Sequence, residues 1–209
     1  MKKPGWLGAF AVSTLISTSV LSPAAQAHFI IDQNPDGAQF FIDGANTNVS
    51  SFSGHVGANN VGPVVNVSTT QNVDTGSGFA NITPVKDKTL SDLIFTPANP
   101  NLFGDFSFRG QLLAAGNITL IVQDNQGDPA QTFILPIDKA NQDFDRIGII
   151  AAASSGETIK SVEISNAGLK EVKQIEFSTA QAVPEPTSIA LLGAGLFGIG
   201  LIRRPRPAA

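Results

Sequence analysis

The chain has 209 residues, with 14 Phe, one Trp and neither Cys nor Tyr, which excludes a disulfide framework and any thiol chemistry. Thirteen basic residues against 17 acidic ones give a formal net charge of −4. Residues 28–182 alone hold 8 Lys and Arg against 16 Asp and Glu, a net −8, and so acidic a body excludes general nucleic-acid binding and electrostatic attachment to anionic lipid.

Residues 1–27 read as a secretory signal peptide. Lys2 and Lys3 form a basic start, residues 6–21 are largely apolar, and Ala25-Gln26-Ala27 has the A-x-A form of a cleavage site. The exported chain would then begin at His28.

Residues 28–182 are enough for one domain with its own core. They show no internal repeat and no sustained helical periodicity. Short runs rich in Val, Ile, Phe and Thr alternate with Gly, Asn, Asp and Pro, the pattern of strands and turns. Strands are predicted at 28–32, 39–43, 64–69, 78–84, 92–95, 105–113, 118–123, 132–137, 146–151, 159–165 and 172–178. Alternation is clearest at Phe106-Ser107-Phe108-Arg109, at Ile118-Thr119-Leu120-Ile121-Val122 and at Val162-Glu163-Ile164, where one face would pack inward. Asn34-Pro35-Asp36-Gly37 has the residues of a type I turn, and Asp124-Asn125-Gln126-Gly127-Asp128 those of a hairpin loop. Ser154-Ser155-Gly156 and Asn166-Ala167-Gly168 read as further breaks. The stretches 45–62, 70–78 and 97–104 read as loops. Ten or eleven strands without helices predict an all-β domain, a two-sheet sandwich of jelly-roll or immunoglobulin-like type.

Residues 183–209 carry three parts in order. Val183-Pro184-Glu185-Pro186-Thr187 comes first, then an uncharged apolar run at 188–202, then Arg203-Arg204-Pro205-Arg206. The run has 15 residues where a comfortable transmembrane helix needs about 20, so it would span with little tilt or thin the bilayer. Arg203, Arg204 and Arg206 would hold its far end in the cytoplasm. Pro184 and Pro186 keep the segment around Glu185 extended and deny the helix an extension. This order closely resembles the PEP-CTERM sorting signal of bacterial exported proteins. The resemblance implies recognition of Pro184, Glu185 and Pro186 by exosortase, a membrane-embedded transpeptidase-like enzyme. It implies an inner-membrane-anchored precursor whose body goes on to the outer envelope or the extracellular matrix. The strand pattern of the last third, through Phe144–Ile149, 156–165 and 172–178, is similar to the closing strands of β-sandwich domains in many PEP-CTERM proteins. Some of those domains look like carbohydrate-binding jelly rolls, which implies a sandwich and, more weakly, glycan binding.

Within the body, Asp32, Asn34, Asp36 and Asp43 fit the D-x-N-x-D-G-x5-acid spacing of a calcium loop, with the carbonyl of Ala38 at the seventh position. The flanks look like strands and not helices, position 12 is the shorter Asp, and Pro35 already explains a tight turn, so the stretch also reads as a β-hairpin. Asp124 and Asp128 bracket a weaker acidic loop. An N-terminal His28 with His55 would have the elements of a copper brace. No G-x-S-x-G or H-E-x-x-H is present, and both histidines sit in poor context for a nucleophile triad. Sixteen acids leave a carboxylate pair for glycoside hydrolysis formally available, although Asp143 and Asp145 read as a solvated strand start. Asn48, Asn66, Asn81 and Asn117 open N-x-S/T sequons. The sequence thus predicts an exported non-enzymatic surface or matrix protein with a structural or adhesive role linked to exopolysaccharide. The alternative is a calcium-dependent carbohydrate-binding module, followed by a secreted copper or hydrolytic enzyme.

Overall fold

The computed structural model describes residues 29–33, 35–58, 60–86, 89–152 and 156–180. The signal-peptide and tail segments read from the sequence lie outside these residues. The described residues form twelve strands and no helix: β1 (Phe29–Asp32), β2 (Ala38–Ile42), β3 (Asn46–Val56), β4 (Val64–Thr75), β5 (Gly78–Phe79), β6 (Asn81–Pro84), β7 (Leu90–Pro97), β8 (Phe103–Leu112), β9 (Gly116–Asp124), β10 (Gln131–Ile137), β11 (Ile147–Ala151) and β12 (Ile159–Thr179).

β12 organises the rest. Its first half pairs with β9 on one edge and β7 on the other, so that Val162 stands between Val122 and Phe95. Its second half pairs with β8 on one edge and with β6 and then β2 on the other. Register slips between Ser165 and Leu169 against β7, and between Leu169 and Glu171 against β8. Such bulges sharpen local twist and bend a strand. The two halves of β12 therefore enter different layers. One layer runs β10-β9-β12-β7-β4-β3, and the other runs β1-β11-β8-β12-β2-β3. The circuit β12-β7-β4-β3-β2 returns to β12, which closes the sandwich on that side. On the opposite side the open edges are β10 and β1, tied where the Phe29 amide donates to Gln131 Oε1 at 3.0 Å.

The core explains why the sheet folds over. Phe95 and Phe106 lie on opposite edges of β12, yet their rings are 5.2 Å apart and both are fully buried. Phe177 packs against Phe103 at 4.9 Å, Phe106 at 5.2 Å, Phe40 at 6.3 Å and Phe95 at 6.5 Å. Each buried Phe contributes about 1.5–3 kcal/mol of transfer free energy, with about 0.5–1.5 kcal/mol more for a well-placed ring pair. Close approach of β11 to β8 demands Gly148: a Cβ there would meet the Phe106 carbonyl oxygen at 2.0 Å.

Four expectations are corrected. Residues 46–56, expected as loop, form β3. Its polar composition hid it, because only Gly54 and Val56 are buried while Asn, Ser and Thr face water. Its kink at Asn48 (φ 58°) is held by a 2.8 Å bond from the Asn48 amide to Asp74 Oδ1. β4 runs on to Thr75, through part of the expected loop 70–78. Asn166-Ala167-Gly168 does not end a strand, since β12 continues through it with a slipped register. β1 and β2 do not form a hairpin: β1 pairs with β11, whereas β2 pairs with β3, β5 and β12.

Phe177→Ala is expected to lower the unfolding free energy by about 3–5 kcal/mol in urea titrations. Ile134→Ser, at a position 62% exposed on β10, is expected to change it by no more than about 0.5 kcal/mol.

Candidate binding face and sorting tail

Side chains alternate along β2, so the Phe40-Phe41 pair sends one ring into the core and the other outward. Phe41 lies in register with Phe79 of β5 on one side and His55 of β3 on the other, and His55 with Val64 of β4. The Phe41 and Phe79 rings are 5.0 Å apart and inclined by 34°. Phe79 is 58% exposed. Asp43, two residues beyond Phe41 and so on the same face, places Oδ1 2.7 Å from His55 Nδ1. The next row is Ser53, Asn66 and Thr96, and a shallow depression of about 320 Å³ lies among Ser51, Ser53, Asn66, Ser68 and Thr96. Strands β2 to β5 hold no Lys or Arg and a single acid, Asp74.

The residues proposed as a calcium loop are spread along the chain's path. Asp32 closes β1 opposite Gly148, and Asn34 lies outside the described residues. Asp36 is exposed, and its backbone carbonyl accepts from Ser178 Oγ. β2 lies extended between Asp36 and Asp43 and separates its own ends by roughly 13 Å. Loop ligands must all reach within about 2.3–2.6 Å of one ion. The described members Asp32, Asp36 and Asp43 are therefore not brought together. Among the described residues no group of three or more His, Cys, Asp or Glu is placed to hold a metal. His28 lies outside the described residues, and His55 is engaged by Asp43.

A larger groove of about 710 Å³ lies elsewhere, lined in part by Asn117, Asp138, Lys139, Phe144, Asp145 and Arg146. Its cations are taken up locally. Lys139 pairs with Asp145 at 3.2 Å, and Arg146 with the buried Glu176 at 2.5 Å.

The tail is assigned by comparison with known proteins. Residues 182–204 match the family model for the PEP-CTERM protein-sorting motif. The chain carries a PEP-CTERM sorting motif. The matched segment takes in Pro184, Glu185, Pro186, Arg203 and Arg204, and stops short of Arg206. The motif indicates a secreted, membrane-processed protein and implies processing by exosortase. No curated protein matches the chain. Among solved structures, a mutant of CBM29-2, a family 29 carbohydrate-binding module, is 15% identical and covers 77% of this chain and 100% of its own. Its TM-score of 0.19 carries no assignment of fold or ligand.

Ahead of this motif, the remaining acidic clusters shape the body. Asp124, 2% exposed, accepts from the amides of Gln126, Gly127 and Asp128 at 2.8, 2.9 and 3.2 Å, so its carboxylate builds the turn itself. Asp124→Ala is expected to lower stability by about 1–3 kcal/mol, and Asp124→Asn by less because its carbonyl oxygen still accepts; thermal melts compare the two. Asp105 is a different case. Burial pushes its carboxyl above the usual carboxylate range, bonds from the Ala151 amide and Ser178 hydroxyl pull it back, and the Asp32 carboxylate pushes it up again. A carboxyl that holds its proton more tightly when folded contributes stability below its unfolded pKa and loses it as pH rises through the folded value. Asp105→Asn abolishes that titration. Its stability relative to the parent is expected to rise between about pH 4 and pH 7, measured by melts across that range.

Proposed function

We propose that this protein is an exported, non-enzymatic component of the outer envelope or extracellular matrix, with a structural or adhesive role linked to exopolysaccharide. The observation that carries the reading is the sorting motif at residues 182–204. It begins directly after a closed β domain whose last strand ends at Thr179. In this reading residues 1–27 direct export, residues 28–182 form the working domain and residues 183–209 are the sorting signal. Pro184 and Pro186 present Glu185 on an extended segment at the membrane surface, where a processing enzyme can grip it. The apolar run 188–202 holds the precursor in the bilayer while Arg203, Arg204 and Arg206 set its orientation. Exosortase cuts near the motif, and the body is released or passed to an acceptor without a membrane span, as with other removable anchors. The acidic body suits such a destination, because net charge keeps a protein dispersed in a crowded matrix.

Replacing Pro184, Glu185 and Pro186 together by Ala is expected to leave export intact and to strand the protein in the inner-membrane fraction. Cell fractionation, with mass spectrometry of the carboxyl terminus, reads this directly. Unchanged delivery and an unchanged terminus would reject the sorting role of these three residues.

A further inference from the structure

We infer that the outer face of β5, β2, β3 and β4 is a platform for an uncharged polysaccharide, on which Phe79, backed by Phe41, stacks against a sugar ring while Asp43, His55, Ser53 and Asn66 hold its hydroxyls. The inference names the partner of the matrix protein described above, and rests on that reading only for the source of the glycan.

Phe79 is a large apolar side chain of the kind that folding buries, yet it lies 58% exposed on a two-residue strand. It does not stand alone. At 5.0 Å from Phe41 and inclined by 34°, it rests in a tilted stack on that ring, which orients it while more than half of it stays open to solvent. The C–H face of a pyranose is also apolar and nearly flat. Beside the rings, the Asp43 carboxylate is fixed by His55 at 2.7 Å, with the two side chains 25% and 19% exposed. It is thus oriented in advance and keeps a second oxygen for a sugar hydroxyl. Ser53, Asn66 and Thr96 continue the row with groups that both donate and accept, the capacity that sugar hydroxyls need. A few placed polar groups around an apolar floor are what fix a ligand's orientation.

Charge decides the class of polymer. Strands β2 to β5 have no Lys or Arg, and the body around them is net acidic. An anionic polysaccharide would meet Asp43 with no Lys or Arg in return, whereas a neutral one brings no charge to repel it. A protein partner is also the poorer fit, since protein hot spots favour Arg and Trp in desolvated pockets, and this face is open and hydroxyl-rich.

The test uses the full chain in a polyoxyethylene detergent, which carries no sugar. Retention is measured on cellulose and on a soluble neutral β-glucan, with alginate as the anionic control. The neutral glucans should bind and alginate should not. Phe79→Ala should weaken binding about ten-fold or more with the melting temperature little changed, and Phe79→Trp should restore it. Equal binding by Phe79→Ala, preference for alginate, or no retention on any of the three overturns the platform. Fractionation of producing cells separates this from the sorting reading. Delivery to the matrix with undiminished Phe79→Ala binding rejects the platform alone. Glucan binding by a chain that never leaves the inner membrane rejects the destination alone.

Discussion

The domain depends on the backbone of one strand being satisfied along both edges while it turns a corner. β12 has 21 residues, and its partners are β9 and β8 on one edge and β7, β6 and β2 on the other. A buried amide or carbonyl left without a partner costs free energy comparable to a lost hydrogen bond. The corner is placed where the register slips against both β7 and β8, between Ser165 and Glu171. The bend brings the flanking strands face to face, and it is there that Phe95 meets Phe106 and Phe177. Hydrogen bonding in the sheet and packing in the core are two aspects of one arrangement.

The same alternation that fills the core dresses the surface. Along β4, Val65, Val67 and Thr69 point inward, and Asn66, Ser68 and Thr70 point out. Along β2 the inward residues are Phe40 and Ile42, which leaves Phe41 outside. The polar outer face therefore needs no special local structure, and its chemistry comes from which residue types fall on the odd or even positions. Closure of the circuit through β3 and β2 pairs this face along most of its length, and the strands left with an open edge are β5, β1 and β10.

Most strands were legible where hydrophobic alternation is strong, as in β8, β9 and β10. β3 was not, because Asn46 to Val56 offers only Val49, Phe52 and Val56 to the core and draws its order from the β4 ladder. β12 looked like two strands because Asn166-Ala167-Gly168 has turn chemistry, and neighbours on both edges override it. The calcium spacing from Asp32 to Asp43 was a local pattern, and spacing predicts a site only if the backbone curls back on itself, which an extended β2 does not do. The Phe41–Phe79 pair was invisible for the opposite reason. Each residue was ordinary in its own segment, and only the register of β2 against β5 places them together. The sorting motif was legible, because its parts are contiguous and their order alone carries the signal.

The position of β12 also sets a timetable. It is the last of the twelve strands in chain order and touches both layers, so the eleven strands before it emerge without the strand that joins them. Domains tend to acquire structure as they are synthesised, from the amino-terminal end. Here that route stops short: β2 to β7 can pair among themselves, but β9 has only β10, and β8 only β11, until Ile159 to Thr179 arrives. Contacts spanning most of the chain form slowly, because the intervening loop must be closed first. The last strand of the body thus ends at Thr179, just before the sorting segment begins at residue 182. A chain cut short before Ile159 lacks both its address and the strand that joins its layers.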